Sequence, residues 1–265
     1  MGTLVCFHAH PDDESISTGG TLARASAEGH RVVVVIATNG DYGEVPDDLA
    51  EGESLVDRRR AEATRSAAAL GVHRLEWLGY KDSGMTGWEQ NADPESFFQA
   101  PLDEAAERLA EILREEKADV VTVYDWHGNY GHPDHVKVHT VGHRAADLAA
   151  VPKVFEATMN REHIVRLITA AREAGAPIGD DDFDPNGGAD DGNPFGMAEA
   201  ELTLAVDVTG YLQAKRESLR CHRSQITDTS FFLEMPEDAF SHAFGTEWFI
   251  EKGVDPGLRE GWLFE

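Results

Sequence analysis

The residues with the clearest capacity for chemistry follow the first apolar run of the chain. The sequence there is His10-Pro11-Asp12-Asp13-Glu14, with one imidazole and three carboxylates in five residues. Imidazole and carboxylate groups are suitable ligands for Zn²⁺. Because proline favours an extended residue before it and suits a helix start, His10 and Asp13 can converge on one point, leaving Asp12 free to contact a metal-held water. An N-cap role for either aspartate is the alternative, but it leaves the histidine unexplained.

A second turn of the same kind follows a later apolar run. It contains His132-Pro133-Asp134-His135. One more ligand from this turn would complete a His₂Asp site with an open position for water, which catalytic zinc requires. His135 is favoured because its offset from its Pro-Asp pair approximates that of Asp13, although the sequence alone also permits His132.

Three histidines on one predicted helix offer a competing site. His135, His139 and His143 are spaced i, i+4 and i+8, so they share a helix face that could bind zinc. Val136 stands where an HExxH metalloprotease carries its glutamate base, which disfavours that class of enzyme. We therefore interpret His139 and His143 as packing or surface residues.

Other catalytic templates do not match. A dinucleotide site needs GxGxxG directly after the first strand, whereas Gly19 and Gly20 come one helical turn too late. The sequence has no GxSxG nucleophile turn and no GxxxxGK[S/T] phosphate loop. Cys221 and His222 are adjacent in sequence, while catalytic Cys/His pairs are assembled in space, so we interpret this pair as chance.

The elements that must position these residues alternate between strands and helices. Nearly continuous apolar, β-branched runs predict buried parallel strands at 3–8, 31–38, 72–77, 118–124 and 151–158. Helical spacing of apolar residues predicts helices at 15–28, 54–70, 103–117 and 136–149. Gly29 and Gly71 stand where glycines end the first two helices. This alternation predicts an α/β fold, a Rossmann-like, mostly parallel sheet with helices on both faces, with ligands at the carboxyl ends of the strands.

The C-terminal third is less regular. The pattern predicts a helix over 162–175, a strand over 202–208, a helix over 211–222, and a strand or helix end over 245–250. No segment has the composition of a linker, so we predict a single domain over 1–265 in which 176–265 is irregular.

An acidic loop is predicted over 180–196. It opens at Asp182 like a calcium-binding loop and has Asp190 at the ninth position, but Pro185 interrupts it and Asn193 replaces the bidentate glutamate. A solvated acidic loop is therefore favoured over a Ca²⁺ site, and a lid beside the crevice is the alternative.

The overall charge bears on partners. The 265 residues include 23 Lys+Arg and 49 Asp+Glu, a formal net charge of −26. Such an excess argues against nucleic-acid or anionic-membrane partners. No apolar run is long enough to span a membrane, no signal peptide is visible, and two cysteines form no disulfide framework, so we expect a cytoplasmic protein. Homo-oligomerisation is left open.

The two His-Pro-Asp turns together resemble the LmbE-like (PIG-L) family of zinc-dependent N-deacetylases. The resemblance covers roughly the first 150 residues and is nearest to the actinobacterial mycothiol-pathway branch of deacetylases and conjugate amidases. It implies a Rossmann-like fold without a nucleotide. It also implies that His10, Asp13 and His135 are the zinc ligands and that Asp12 is the general base.

The same resemblance assigns further roles. It implies that His132 stabilises the oxyanion and protonates the leaving amine, that Asp134 tunes the charge of His132, and that Tyr130 hydrogen-bonds the oxyanion. It also implies contacts with sugar hydroxyls for a further set of residues: Arg59, Asp82 and, less closely matched, Glu44. Without the resemblance, Arg59 would be interpreted as part of a solvated helix face and Asp82 as a turn former.

The implied activity is zinc-dependent hydrolysis of the acetamide of an N-acetylglucosamine-type sugar, releasing acetate and a free amine. Fe²⁺ would accept the same ligands. The amidase branch carries a lysine near the position of Ser17, which favours deacetylase over amidase action on a larger sugar or thiol conjugate. Antibiotic-precursor glycans and chitooligosaccharides stay open as substrates, and an inactive metal- and sugar-binding protein is a further alternative.

Overall fold

The computed structural model describes residues 1–173, 183–227 and 230–265. Within them one eight-stranded sheet runs through the molecule in the order β3-β2-β1-β4-β5-β7-β6-β8. The strands are β1 Thr3–His8, β2 Arg31–Thr38, β3 Arg74–Tyr80, β4 Val120–Tyr124, β5 Lys153–Thr158, β6 Leu204–Asp207, β7 Thr246–Glu251 and β8 Arg259–Glu260. The first five strands are parallel, and β7 is antiparallel to both β5 and β6.

Nine α-helices are found in the described residues. They are α1 Asp13–Ser17, α2 Gly19–Ala27, α3 Leu55–Ala69, α4 Leu102–Glu116, α5 Pro133–Ala149, α6 Arg161–Glu173, α7 Leu212–Cys221, α8 Phe231–Glu234 and α9 Glu237–Phe244. Three short 3₁₀ turns occur at Glu89–Ala92, Glu199–Glu201 and Thr209–Tyr211. None of these helices is both long and apolar enough to cross a membrane.

Helices cover both faces of the sheet because successive strand residues point to opposite sides. Val5 and Phe7 of β1 belong to a buried cluster with residues of α4 and α5. Leu4 and Cys6 belong to a second cluster with residues of α2 and α3. The α/β prediction, with a mostly parallel sheet between two helical layers, is thereby confirmed.

The chain changes direction across the sheet between β1 and β4. From β1 it moves outward to β2 and β3, and it then returns to place β4 on the other side of β1. The carboxyl ends of β1 and β4 therefore lie side by side at a topological switch point, where open α/β sheets form their binding crevices. Both His-Pro-Asp turns emerge there.

The prediction of a single helix over 15–28 is wrong. The structure has two helices, α1 and α2, separated at Thr18. The second begins there because the Gly20 and Thr21 N–H groups each donate to the carboxylate of Glu247, at 2.8 Å. This buried carboxylate supplies the cap that a helix N-terminus needs, and it comes from β7.

Most other predicted elements are confirmed within a few residues. Gly29 and Gly71 have φ of +84° and +71°, as helix-ending glycines require. The predicted strand over 202–208 is β6, the segment over 245–250 is strand β7, and the described part of the acidic loop, 183–196, contains no helix or strand. The sequence patterns did not indicate α8 or α9.

Candidate active site

The first His-Pro-Asp turn joins β1 to α1. His10 is 8% exposed, and its backbone N–H donates to the Asp13 carboxylate at 2.8 Å. The same Asp13 Oδ2 lies 3.5 Å from His10 Nδ1 and 3.4 Å from His135 Nε2. Although burial opposes its ionisation, His135 and His10 hold the pKa of Asp13 well below its usual range. The turn therefore presents an ionised carboxylate oxygen between two imidazole nitrogens.

These distances fit a metal ion. Two atoms bound at about 2.0–2.1 Å to a tetrahedral Zn²⁺ lie about 3.3–3.4 Å apart. The separations of Asp13 Oδ2 from His10 Nδ1 and from His135 Nε2 are close to that value. Within the described residues, His10, His132 and His135 also form a buried group whose donor atoms lie within 4.8 Å of one another. The site is thus able to bind a metal ion.

The other ring nitrogen of His10 faces carboxylates. Its Nε2 lies 3.2 Å from Asp134 Oδ2 and 3.6 Å from Asp82 Oδ1. Burial disfavours the imidazolium, but Asp82, Asp13 and Asp134 raise the pKa of His10 well above its usual value. A metal-ligating histidine commonly donates its second N–H to a carboxylate, so Asp134 occupies the place of such an outer partner. Asp134 is itself held by Ser83, whose backbone N–H donates to it at 2.9 Å.

The second turn joins β4 to α5. His132 is the N-cap of α5, where its Nδ1 accepts from the Asp134 N–H at 3.1 Å. A neutral ring that accepts at Nδ1 carries its proton on Nε2. Burial, with His10 and His135 nearby, lowers the pKa of His132 to about 3. Burial and His10 also lower the pKa of His135, to about 4, against the opposing charge of Asp13.

Tyr130 approaches the same centre. Its hydroxyl lies 3.3 Å from His135 Nε2, and the two rings meet edge to face. Burial and the charge of Asp13 raise the pKa of Tyr130 above its usual value, so the phenol remains protonated and can donate a hydrogen bond. The structure therefore places Tyr130 and His132 around the His10–Asp13–His135 group.

Asp12 has an unusual backbone conformation. Its φ of +121° lies in the region that residues other than glycine rarely adopt. The Asp12 N–H donates to Glu14 Oε2 at 2.9 Å, and Arg59 donates to Pro11 O at 2.7 Å and to the Asp12 carboxylate at 3.3 Å. Burial raises the pKa of Asp12 to about 6, and the Arg59 charge opposes that rise. Asp12 is therefore a carboxylate that can accept a proton and that Glu14 and Arg59 hold in one orientation.

The three predicted sugar-contact residues occupy different surroundings. Arg59 is 3% exposed, so the interpretation as a solvated helix face is wrong. Asp82 is also buried and accepts from the Gly84 N–H at 2.8 Å, which makes it a turn former as well as a neighbour of His10. Glu44 is exposed and lines a surface cavity of about 610 Å³.

The acidic loop packs against the second turn. The Asp190 N–H donates to Tyr130 O at 2.9 Å, and the ring of Phe195 stacks on that of Tyr130 at 6.2 Å between centroids. The Asp190 carboxylate accepts from the Thr86 N–H at 2.9 Å. Asp182, the first position of the calcium alternative, lies outside the described residues.

His139 and His143 form a separate group with Glu156. His139 Nδ1 donates to Tyr124 O at 3.0 Å, and His143 Nε2 donates to Glu156 at 2.8 Å. Protein partners on neighbouring strands thus satisfy these ring nitrogens, in line with their interpretation as packing residues.

Sequence reasoning missed several residues that hold the site. Glu14 and His222 are joined by a 2.6 Å hydrogen bond between His222 Nε2 and Glu14 Oε1. Ser83 anchors Asp134. A signal was available for Arg59, because it shares the buried stripe of α3 with Ala63. A charged residue in register with small buried residues indicates a specific buried partner.

Comparison with known proteins gives the relationship of the chain. The family model of PIG-L, described as GlcNAc-PI de-N-acetylase, matches residues 5–146. A 1D-myo-inositol 2-acetamido-2-deoxy-alpha-D-glucopyranoside deacetylase from Thermobispora bispora is 37% identical over 277 residues, covering 97% of this chain and 90% of its own. A protein of the same name from Acidothermus cellulolyticus is 39% identical over 262 residues, covering 94% and 88%.

The fold is shared with solved structures. An N,N'-diacetylchitobiose deacetylase from Pyrococcus horikoshii superposes with a TM-score of 0.56 at 23% identity, over 94% of this chain and 83% of that one. The resemblance inferred from the two His-Pro-Asp turns is confirmed, as is the prediction of an enzyme of the N-deacetylase class. The chain belongs to the PIG-L family.

Proposed function

We propose that this enzyme hydrolyses the acetamide of an N-acetylglucosamine joined to inositol, in a zinc-dependent reaction that releases acetate and a free amine. The observation that carries the proposal is the position of Asp13 Oδ2 between His10 Nδ1 and His135 Nε2, beside the fixed carboxylate of Asp12. The names of relatives aligned over more than nine tenths of the chain support the sugar.

Three residues would hold the metal ion: His10, Asp13 and His135. When bound, Zn²⁺ supplies a Lewis acid and lowers the pKa of water to near neutrality. Fe²⁺ is compatible with the same mixed nitrogen and oxygen ligands. Asp134 fixes the orientation of His10 through its Nε2.

The remaining side chains account for proton movement. Asp12 accepts the proton of the attacking water as general base. The Tyr130 hydroxyl and the Nε2–H of His132 donate hydrogen bonds to the oxyanion as it forms, each worth about 2.7–4 kcal/mol for a well-placed donor. The proton that Asp12 took from water is then relayed through His132, which gives its Nε2 proton to the departing amine nitrogen and regains one from Asp12, so both groups return to their starting forms. In this scheme Arg59 stabilises the ionised form of Asp12. Arg59, Asp82 and Glu44 are also the proposed contacts with the sugar hydroxyls.

The test compares wild type with Asp12→Asn in acetate release from the inositol-linked sugar, with metal content measured on the same samples. Asp103→Asn is the matched control, because that carboxylate is 79% exposed. We expect Asp12→Asn to keep its metal and to lose about 10²–10⁴-fold in kcat, the usual contribution of a general base. Retained activity in Asp12→Asn would refute its role as base. A metal-loaded wild type that releases no acetate, but cleaves a thiol-conjugate amide, would assign the amidase activity instead.

A further inference from the structure

The conformation of Asp12 depends on Glu14. The positive φ of Asp12 aims its N–H at Glu14 Oε2, which accepts at 2.9 Å. A residue other than glycine stays in this region only when its surroundings over-determine it. Arg59 donates to the Pro11 carbonyl and to the Asp12 side chain. Glu14 accepts the hydrogen bond of the Asp12 backbone N–H.

Glu14 is in turn held from the far end of the chain. Its carboxylate is 1% exposed, and its Oε1 accepts from His222 Nε2 at 2.6 Å. Two buried hydroxyls, of Ser15 and Ser66, also donate to Oε1. Ser218 lies on α7, one turn before the C-cap residue His222, and bonds to both serines. The result is a closed polar network in which one histidine and two serines donate to Glu14 Oε1.

Within the described residues, the side chain of His222 makes a single hydrogen bond. Its side chain is fully buried, and in the described part of the chain the Glu14 carboxylate is the hydrogen-bond partner of its ring, with Nδ1 left unpaired. Burying an imidazole with one nitrogen unsatisfied destabilises the fold. The bond to Glu14 offsets part of that cost.

The turn formed by residues 222–225 contacts other parts of the site as well. The Ser224 N–H donates to the carboxylate of Glu62 at 3.0 Å, and Glu62 lies one helical turn after Arg59 on α3. The Gln225 side chain accepts from the Glu44 N–H at 3.0 Å and donates to the Glu44 carbonyl at 2.9 Å. One turn therefore bonds to all three segments that carry Asp12, Arg59 and Glu44.

We propose that His222 is a positioning residue for Asp12, acting through Glu14, and that the 222–225 turn aligns the base with the sugar-binding segments. The proposal rests on the proposed function for the role of Asp12, but the contacts that carry it stand independently. Loss of the His222 ring leaves Glu14 Oε1 with serine hydroxyls as its donors, so the carboxylate can rotate and release the Asp12 N–H. The base is then displaced while the metal ligands, which do not contact His222, remain in place.

The experiment compares His222→Asn with His222→Gln. The glutamine amide nitrogen can take the place of imidazole Nε2, whereas the shorter asparagine cannot reach Glu14. We expect His222→Asn to lose about 10²-fold in kcat, as displacement of a reacting group by about 1 Å does, with KM and metal content unchanged. His222→Gln should restore most of kcat. Equal kcat in the two variants would overturn the proposal.

A control separates positioning from general destabilisation. Leu219→Ala removes a buried side chain of the same helix, α7, without touching Glu14. If the two variants lose the same amount of kcat for each degree of Tm lost, the role of His222 is merely structural, and the proposal is wrong.

Backbone amide exchange gives a readout that needs no substrate. In His222→Asn, the peptide covering residues 9–16 should exchange at least tenfold faster than in wild type and in Leu219→Ala, because the Asp12 N–H loses its acceptor. Unchanged exchange would overturn the proposal. A wild type inactive on the sugar would refute the proposed function and leave this comparison intact.

Discussion

Replacing Arg59 with methionine is expected to move the acidic limb of the pH–activity profile to higher pH. The mechanism needs ionised Asp12, so kcat/KM falls as pH drops through the pKa of that carboxyl. Burial raises this pKa to about 6, and the Arg59 charge opposes the rise from 3.3 Å. Without the guanidinium, burial and the neighbouring Asp13 charge are opposed by the weaker effects of His222 and His10, so the pKa of Asp12 rises and the base is protonated at a pH where the wild type still works.

The size of the shift follows from the geometry. An opposite charge in direct contact with a carboxyl lowers its pKa by about 1–3 units. Below the limb, each unit of upward shift reduces the rate about tenfold, equivalent to about 1.36 kcal/mol. A bound divalent cation lowers the pKa of Asp12 in both proteins, so the quantity to compare is the difference between the two limbs.

The assay is kcat/KM of the metal-loaded enzymes between pH 5 and 9, a range of about two units on either side of neutrality that covers the expected shift. Arg60→Met is the matched control, because Arg60 is the exposed neighbour on the same helix. Arg59→Lys keeps the charge but cannot serve the Gly40 and Pro11 carbonyls together, so it should keep the limb and lose about 1–3 kcal/mol of stability. If the acidic limb of the Arg59→Met profile lies at the same pH as that of the wild type, this guanidinium does not set the charge of Asp12.

Three further outcomes are expected. Lys215→Met should lose about 3–5 kcal/mol in urea unfolding, because Lys215 Nζ lies 2.6 Å from Glu247 in a buried pair, and adding Glu247→Gln should recover part of the loss. Gly20→Ala should lose about 1–3 kcal/mol, since its Cβ would lie 2.5 Å from Val208 Cβ, whereas Gly210→Ala has open space and should unfold like wild type. Chelating a metal present at 100 times its Kd should remove about 2.7 kcal/mol of stability, and an unchanged Tm would show that no ion was bound.

The centre of the site could be predicted because its information is local. Each His-Pro-Asp turn follows a strand that the apolar pattern already indicates, and the next residues start a helix. Parallel strands bring their carboxyl ends to one edge of the sheet, so His10 and His135 meet although 125 positions separate them. Local geometry and one general rule of α/β folds were enough.

The supports of the site could not be predicted in the same way. The acceptor that starts α2 is Glu247, and the donor to Glu14 is His222, each more than 200 residues away. Neither pair has a characteristic spacing, because the distance along the chain reflects the loops between them. Burial of Arg59 likewise depends on the carbonyls of two loops whose shapes the sequence pattern does not specify.

The long reach of the Glu14–His222 bond has a consequence for biosynthesis. The two residues are 208 positions apart, and Gly20 and Glu247 are 227 apart. Contacts of such sequence separation form late, after most of the loop-closure entropy has been lost. During synthesis, residues 10–14 therefore leave the ribosome before the residues that hold them exist. We expect Asp12 to reach its final orientation only after α7 and β7 have packed onto the sheet. The geometry around Asp12 thus forms only when the C-terminal part of the chain has been synthesised.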